Sequence, residues 1–342
     1  MTNKRILFYS SVATKKQFSY QEYYRTDIRL LRELGYRVML SNHFYDYLCI
    51  WKYDVVFIYF YRFGLLPAKI ARLAGKKVYF TGGIDFLDKN FVPHRTYLIQ
   101  KYLFILCYLF STRCIIGSGT DERNIRGAFP KLKFSRLVLS HHVIDFDKYS
   151  DPDISSREKI FTTIAWLKLE INAVRKGVDK CLLLFAELLK LEKFKDHRLI
   201  IIGPPGAGTE LIGKLIAERG IQDKVTLTGM VTEEEKIRWL KKSRYYLQLS
   251  ETEGFGISAI EAIAAGNLVI HSGRGGLAEA IGDHGLVPGT LTDYPRMAAE
   301  IDRYLDEMSE EKYRRIVDNG IDHVKRNFSY GRRKADFKKI IG

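Results

Sequence analysis

Short apolar segments of the kind that form β-strands alternate with helical patterns along this chain of 342 residues. Repeated strand–helix–strand units build parallel sheets that are covered by helices, so the alternation predicts an α/β fold. We expect six strands in the first half: Arg5–Tyr9, Arg37–Ser41, Val55–Tyr59, Lys77–Phe80, Cys114–Ile116 and Leu137–Leu139. After a polar stretch at 145–159 five more follow: Ile160–Ala165, Arg198–Ile202, Lys224–Thr228, Tyr245–Leu249 and Leu268–His271.

The polar interruption divides the predicted fold into two Rossmann-like domains with a cleft between them. We expect these domains at residues 1–149 and 150–326, and a basic amphipathic helix at 327–342 that packs back on the first domain. Its basic residues are expected on a solvated face, with contact to anionic membrane lipid as the functional alternative. Because ligands of parallel sheets bind beyond the carboxyl ends of the strands, the loops after strands are where a site is expected.

The net charge of +15 predicts attraction to an anionic partner: nucleic acid, an acidic lipid surface or a phosphorylated small molecule. The four cysteines have irregular spacing, which argues against a disulfide framework or a zinc site. The first apolar stretch is too brief for a signal peptide, so we expect a cytoplasmic protein. Peripheral contact of that protein with the inner membrane face is a further possibility.

The most apolar long segment is Tyr97–Phe110, which is interrupted by Gln100 and Lys101. The uninterrupted run is far shorter than the roughly 20 residues of a membrane-spanning helix. A buried core helix is the favoured interpretation. An in-plane membrane contact is the alternative, because basic residues flank the apolar run.

The most informative segment is Ser250–Ile270, SETEGFGISAIEAIAAGNLVI, in which a strand leads through a glycine-containing loop into an Ala-rich helix and a further strand. Glu253 and Glu261 stand in it with seven residues between them. The loop glycines let a ligand approach the backbone, and the amides of a helix that begins near Ser258 suit a diphosphate. Alternatively, Ser258 and Glu261 form a capping box, which would explain Glu261 alone.

This segment resembles the retaining GT-B glycosyltransferases of family 4, or group 1, a family of bacterial polysaccharide and lipid glycosyltransferases marked by two glutamates at this spacing in an EGFG context. The resemblance extends to four further segments: RKGVD (Arg175–Asp179), LIIIGPPG (Leu199–Gly206), VTLTGMV (Val225–Val231) and GGLAEAI (Gly275–Ile281). It implies a GT-B architecture in which domain 1–149 binds the acceptor and domain 150–326 binds a nucleotide sugar.

The resemblance also implies roles for individual residues. Glu261 would bind the donor ribose, Glu253 the hydroxyls of the transferred sugar, and Arg175 and Lys176 the diphosphate. Asp85 in TGGIDF would contact the sugar or acceptor, although a turn residue fits nearly as well. Glu253, Lys176 and Asp85 are the expected catalytic residues. The remaining donor-binding residues are expected to be Gly229, Met230, Val231, Gly254, Phe255, Gly256, Ile257 and Ser258. Neither a metal nor a cofactor is expected.

The chain departs from the family pattern after the first strand of the second domain, where Ala165, Trp166 and Lys168 stand in place of a Gly-Arg pair. The first loop lacks a Gly-Gly pair, which Ser10–Thr14 would replace. Three other groups are given structural interpretations instead of ligand-binding ones: the pair Asp145 and Asp147, the pair His141 and His142, and the glycines Gly203, Gly206 and Gly208.

The sequence therefore predicts a metal-independent enzyme that transfers a hexose-type sugar, with retention, from a UDP- or GDP-linked donor to a glycan or lipid-linked acceptor in cell-surface polysaccharide biosynthesis. One alternative is a sugar-nucleotide epimerase or hydrolase on the same scaffold. Another is a basic nucleic-acid-binding protein, which the charge and the 13% aromatic content would suit but for which no motif is recognised.

Overall fold

Each half of the chain forms its own six-stranded parallel sheet. The structure is a computed structural model that describes residues 4–84, 87–89, 92–149 and 153–342. The chain divides into unit 1, Met1–Ile144 with Phe328–Gly342, and unit 2, Asp145–Asn327. The division falls at Ile144 instead of residue 149 because the Ile144 amide donates to the Phe328 carbonyl, at 3.1 Å, where the chain returns to unit 1.

Unit 1 contains the six strands that the alternation predicted: β1 (Arg5–Ser10), β2 (Arg37–Ser41), β3 (Val55–Tyr59), β4 (Lys77–Thr81), β5 (Arg113–Ile116) and β6 (Leu137–Leu139). They pair in parallel in the order β2-β1-β3-β4-β5-β6. The central strand β3 reads VVFIY and is buried throughout, as expected for a strand with helices on both faces of its sheet.

The helices preceding the second sheet are α1 (Gln17–Tyr20), α2 (Glu22–Glu33), α3 (Phe44–Leu48), α4 (Leu65–Leu73), α5 (His94–Phe110) and α6 (Gly119–Ala128). Helices α3 to α6 contribute to one hydrophobic core of unit 1, with Tyr47, Ala68, Phe104 and Ile125. Helices α1 and α2 contribute to a second core, which contains Phe18 and Ile28. The two cores show that the helices cover both faces of the sheet.

Unit 2 has the strands β7 (Glu158–Ile164), β8 (Arg198–Ile202), β9 (Val225–Gly229), β10 (Ser243–Gln248), β11 (Leu268–His271) and β12 (Gly285–Leu286), in the order β12-β11-β10-β7-β8-β9. Its helices are α7 (Glu170–Arg175), α8 (Val178–Leu188), α9 (Ala207–Arg219), α10 (Glu233–Lys242), α11 (Ile257–Ala264), α12 (Gly276–Ile281), α13 (Tyr294–Asp306) and α14 (Glu310–Asn327). The five predicted strands are confirmed, and the two-residue edge strand β12 was missed.

The terminal helix α15 (Tyr330–Ile341) belongs to unit 1, where Phe337 joins the core of α1 and α2. The prediction that its basic residues are solvated is wrong for Arg333, which is buried and binds Asp27 through two hydrogen bonds of 2.6 and 2.8 Å. Arg333 also donates to the carbonyls of Ser140 and His141. A buried guanidinium is stable here because its donors are satisfied.

The four cysteines are free thiols; Cys107, Cys114 and Cys181 are buried, and burial raises the pKa of the Cys114 thiol to about 12. Among the described residues, no three or more His, Cys, Asp or Glu side chains lie together in a group that could hold a metal ion. This includes the histidines and aspartates at 141–147. Within the same ranges, no helix has the length and apolar character needed to cross a membrane.

Candidate functional site

The motif glutamate Glu253 contacts Lys176, the second residue of the basic pair Arg175–Lys176, just beyond the carboxyl end of β10. The Lys176 ammonium lies 2.5 Å from Glu253 Oε2, and the two side chains are 20% and 10% exposed. The Arg175 carbonyl accepts a hydrogen bond from the Glu251 amide at 2.9 Å. Residues that stand 77 positions apart in sequence are thus brought together, as expected if they serve one ligand.

Gly177 allows the Arg175–Lys176 segment to lie close to the end of β10 without a steric clash. Its φ is +66°, and a Cβ atom at this position would lie 2.0 Å from the Leu249 carbonyl oxygen. The Ser250 hydroxyl, in turn, donates to the Lys176 carbonyl at 3.3 Å. Any side chain at 177 would push the Arg175–Lys176 segment away from the end of β10.

Gln248, the last residue of β10, holds the Glu253 carboxylate and was not predicted as a site residue. Its Nε2 donates to Glu253 Oε2 at 2.9 Å, and its Oε1 accepts from the hydroxyls of Ser258 and Tyr246 at 3.2 and 3.3 Å. The signal in the sequence was a polar residue directly after the apolar run Tyr245–Leu247 of the strand. The Glu253 carboxylate is oriented by this network.

The glycine-rich loop packs against the start of α12. A Cβ at Gly275, whose φ is +60°, would lie 2.6 Å from the Glu253 carbonyl oxygen, and one at Gly276 would lie 2.1 Å from the Gly254 carbonyl oxygen. The Gly276 amide donates to the Glu253 carbonyl at 2.7 Å. The GG of GGLAEAI therefore shapes the loop that carries Glu253.

The capping-box interpretation of Ser258 and Glu261 is wrong. Helix α11 begins at Ile257, so its N-cap residue is Gly256, which has a φ of +95° and makes no side-chain cap hydrogen bond. Ser258 is therefore the second helical residue, with its hydroxyl on Gln248, and Glu261 lies beyond the first turn in which it was expected. Phe255, next to this start, is buried.

Glu261 is held by Lys236 of α10, a second residue that the sequence reasoning missed. Glu261 is 4% exposed, and its Oε1 accepts from the Lys236 ammonium at 2.7 Å. The same ammonium lies 3.1 Å from Glu233. Burial by itself lowers the pKa of Lys236, but the carboxylates of Glu261 and Glu233 outweigh it and leave that pKa raised. Lys236 precedes the buried Leu240 by one helical turn, so it occupies an inward position.

The turn of Gly229, Met230 and Val231 lies away from the Glu253 loop, because β7 and β8 separate β9 from β10 in the sheet. Gly229 has a φ of +72°, Met230 is largely exposed, and Val231 packs on Ile160 and its neighbours. The turn leads directly into α10, which carries Lys236. Helix α10 is thus the link between this turn and Glu261.

The segment that departs from the family pattern follows β7, as predicted. The Lys168 ammonium lies 5.3 Å from the centre of the Trp166 ring, within the range of a cation–π contact. Gly203 and Gly206 permit close backbone contact here, since their Cβ atoms would lie 1.7 Å and 2.5 Å from the carbonyl oxygens of Ala165 and Lys168. This supports the tight-turn interpretation of those glycines.

A separate cavity of about 210 Å³ lies within unit 1, at the loops that follow β1, β3 and β4. Its lining is mostly aromatic and apolar: Ser11, Phe60, Tyr61, Arg62, Phe63, Gly83, Ile84, Leu87, Gln100 and Phe104. Phe60 has a φ of +69°, the one positive value outside glycine in the described ranges, and a Cβ on Gly82 would lie 2.8 Å from its ring. Such strain is typical of functional loops. Asp85, two residues after the lining residue Gly83, lies outside the described residues.

The residues around Glu253 and Glu261 lie within the part of the chain that matches a known protein family. Residues 167–323 match the family described as glycosyl transferases group 1. The GDP-mannose:cellobiosyl-diphosphopolyprenol alpha-mannosyltransferase of Xanthomonas oryzae pv. oryzae is 33% identical over 40% of this chain and 35% of its own. The MMP alpha-(1->4)-mannosyltransferase of Mycolicibacterium hassiacum is 34% identical over 42% and 34%. The matched region spans about a third of these relatives' length.

The similarity to solved structures covers nearly the whole chain. The Anabaena protein HepE, crystallised with UDP and glucose, superposes with a TM-score of 0.75 over 98% of this chain and 99% of its own, at 15% identity. At that identity the likeness concerns the fold. It confirms the predicted α/β fold of GT-B type with two parallel sheets.

Proposed function

We propose that the chain transfers a sugar from a nucleotide-diphosphate sugar to an acceptor, because residues 167–323 match the group 1 glycosyl transferases. The observation that carries the proposal is the pair of motif glutamates, each held by a lysine: Glu253 by Lys176 and Glu261 by Lys236. Carboxylates held in this way accept hydrogen bonds from sugar hydroxyls, while the adjacent cations attract phosphates.

The donor would lie along the start of α11. Glu261 binds the ribose hydroxyls, and Glu253 binds hydroxyls of the transferred sugar. Helix α11 begins after a glycine, so its first amides, at Ile257 and Ser258, are suited to the diphosphate. Arg175 and Lys176 supply positive charge to the same diphosphate.

Lys176 has a specific part in catalysis. Its ammonium is held by Glu253 at 2.5 Å, and it turns toward the diphosphate when the donor binds. As the bond to the anomeric carbon breaks, the leaving diphosphate gains negative charge, which Lys176 and Arg175 stabilise. Because two side-chain cations provide this stabilisation, we propose that transfer needs no metal ion.

We propose that the acceptor hydroxyl attacks on the face from which the nucleotide departs, so that configuration is retained. A donor phosphate oxygen takes the proton of that hydroxyl, and no carboxylate nucleophile takes part. The unit 1 cavity at the ends of β1, β3 and β4 is the proposed acceptor site, with Asp85 beside it in sequence.

The substrates are proposed from the chemistry of the similar proteins. HepE was crystallised with UDP and glucose, and the Xanthomonas relative is described as using GDP-mannose and a diphosphopolyprenol-linked acceptor. We therefore propose a UDP- or GDP-linked hexose as donor and a glycan or lipid-linked sugar as acceptor. Such a reaction belongs to the synthesis of cell-surface polysaccharide.

The test is nucleotide release from a panel of UDP and GDP sugars, with and without a lipid-linked sugar acceptor. We expect acceptor-stimulated release that persists in EDTA, and a product whose anomeric configuration by NMR matches that of the donor. Glu253→Gln should lower turnover about a hundredfold or more, whereas Glu251→Gln, a neighbouring change, should have little effect. Release that ignores the acceptor would favour the hydrolase alternative, and conversion to another sugar nucleotide without net release would favour the epimerase alternative.

A further inference from the structure

Helix α5 is apolar on both of its faces although it lies on the surface of unit 1. Its inner face is buried in the core, with Tyr97, Phe104 and Cys107. Its outer face carries an apolar stripe, 37–65% exposed: Leu98, Ile99, Tyr102, Leu106 and Leu109. A helix that is apolar all round is ordinarily covered on all sides, so the outer stripe requires a partner.

The stripe continues onto the neighbouring helices. Helix α4 is adjacent to both α3 and α5, and the three helices share one core of unit 1, so they form one layer. We call the exposed large apolar residues of this layer and its connecting segments the outer apolar face: Phe44, Tyr45, Leu48, Ile50, Trp51, Phe63, Leu66, Leu73, Leu98, Ile99, Tyr102, Leu106 and Leu109.

The concentration of these residues distinguishes them from ordinary surface side chains. Among the described residues, 21 large apolar side chains are exposed, and the outer apolar face contains 13 of them within positions 44–109. Apolar side chains scattered singly over a surface need no explanation, but a contiguous group of this size marks an interaction surface.

The charge of the layer indicates which partner covers it. Helices α4 and α5 contain Lys69, Arg72, Arg95 and Lys101 and have neither aspartate nor glutamate in their sequences, and α3 adds one acidic residue, Asp46, so the layer is positively charged overall. Two copies of this face would bring like charges together, which disfavours self-association. An anionic lipid surface complements the cations, and tryptophan and tyrosine side chains favour the interface between headgroups and acyl chains.

We propose that the outer apolar face docks on a membrane surface that contains anionic phospholipid, with the layer of α3, α4 and α5 lying against the headgroups. The apolar side chains enter the boundary between headgroups and acyl chains, and the lysines and arginines contact lipid phosphates. The net charge of +15 adds a long-range attraction to the same surface.

Docking in this way would bring the unit 1 cavity close to the lipid. Phe63 belongs both to the outer apolar face and to the cavity lining, and α5 supplies Gln100 and Phe104 to that lining. A lipid-linked acceptor could then reach the cavity from the membrane, a consequence that rests on the proposed function. Docking itself does not depend on the donor site.

The experiment is flotation of the full chain with vesicles of phosphatidylcholine alone or mixed with phosphatidylglycerol. We expect binding to the mixed vesicles that weakens with added salt. Replacing both Lys69 and Arg72 by Gln should weaken binding by about fivefold for each lost charge. Tyr102→Glu and Leu106→Glu should each weaken it by about tenfold or more, because an apolar contact is lost and a repelling charge is added.

Tyr20→Glu is the matched control. Tyr20 is exposed to a similar degree but lies on α1, whose core is on the opposite face of the unit 1 sheet. This variant should bind vesicles like the wild type, and thermal melts should show that all variants fold. Failure of the wild type to bind mixed vesicles, or equal binding by the Tyr102→Glu variant, would overturn the proposal. A dimer in solution that Leu106→Glu converts to a monomer, without vesicle binding, would assign the face to a second copy instead.

Discussion

Replacing Lys236 by Met tests whether the contact between α10 and α11 is energetically important. The Lys236 ammonium lies 2.7 Å from Glu261 and 3.1 Å from Glu233, and Glu261 is almost completely buried. A charge pair at about 4 Å contributes about 4 kcal/mol at an effective dielectric constant near 20, before the cost of desolvation is subtracted. Removing one partner of a buried pair costs about 3 to 5 kcal/mol, because the other charge stays buried.

We expect a loss near the lower value, about 3 kcal/mol in the free energy of unfolding of unit 2 at pH 8, because the Glu233 side chain is 30% exposed and can regain water. The double variant Lys236→Met with Glu261→Gln should recover stability to within about 1 kcal/mol of wild type, since no buried charge is left alone.

Urea unfolding followed by circular dichroism measures these differences, with the two units fitted as separate transitions. Lys242→Met is the control on the same helix. Its ion pair with Glu158 at 3.2 Å is exposed, with side-chain exposures of 49% and 40%, so about 0.5 kcal/mol or less should be lost. Equal losses for the Lys236 and Lys242 variants would refute the reasoning.

Three further variants test the packing and the buried histidines. Gly177→Ala should destabilise unit 2 by about 2 kcal/mol or more, since its Cβ would lie 2.0 Å from the Leu249 carbonyl oxygen at a φ of +66°. Gly213→Ala, within α9 and with nothing within 4 Å of the new Cβ, should stabilise the unit by up to about 1 kcal/mol in the same urea experiment. Burial lowers the pKa of His197 and His271 to about 4 each, so both are neutral in the folded chain. Above pH 6.5 they are neutral in the unfolded chain as well, and the fold then has its full stability. As the pH falls from 6.5 to 5 the unfolded chain takes up protons first, and each histidine should remove up to about 2 kcal/mol of stability. Unfolding measured at pH 7 and 5 should therefore differ by up to about 4 kcal/mol from these groups, and His197→Gln should remove about half of that difference.

The strands were predictable because each is a run of buried apolar residues between polar loops. The run VVFIY at Val55–Tyr59 can be buried on both faces of a sheet and appears as β3. The edge strand β12 has two residues, Gly285 and Leu286, which is too short to produce a recognisable pattern. Its pairing depends on the position of β11, which is fixed only in the folded chain.

The motif glutamates were recognised from local spacing, whereas their partners were not. Lys236 stands 25 positions before Glu261, on a different helix, and only the folded chain brings the two side chains together. Gln248 is nearer in sequence, but its role follows from the turn that folds Glu253 back toward the end of β10. Long-range packing therefore decides which polar residues support the site.

Two errors have different causes, one local and one long-range. The capping box was the alternative suggested by the spacing of Ser258 and Glu261, but the helix starts earlier, at Ile257, and the two side chains bind Gln248 and Lys236 instead. Arg333 was expected on a solvated face because lysine and arginine surround it in sequence. Its burial depends on Asp27, 306 positions away, which no periodicity could indicate.

The central claim, that Lys176 and Glu253 form part of a nucleotide-diphosphate site, is tested most directly by calorimetric titration of UDP and GDP. The chain provides a matched control, because Lys180 pairs with Glu251 at 2.6 Å beside the Lys176–Glu253 pair at 2.5 Å. We predict that one nucleotide binds the wild type, that Lys176→Met weakens binding by about tenfold or more, and that Lys180→Met leaves it unchanged. Absence of binding by both nucleotides, or equal weakening by the two lysine variants, would contradict the claim.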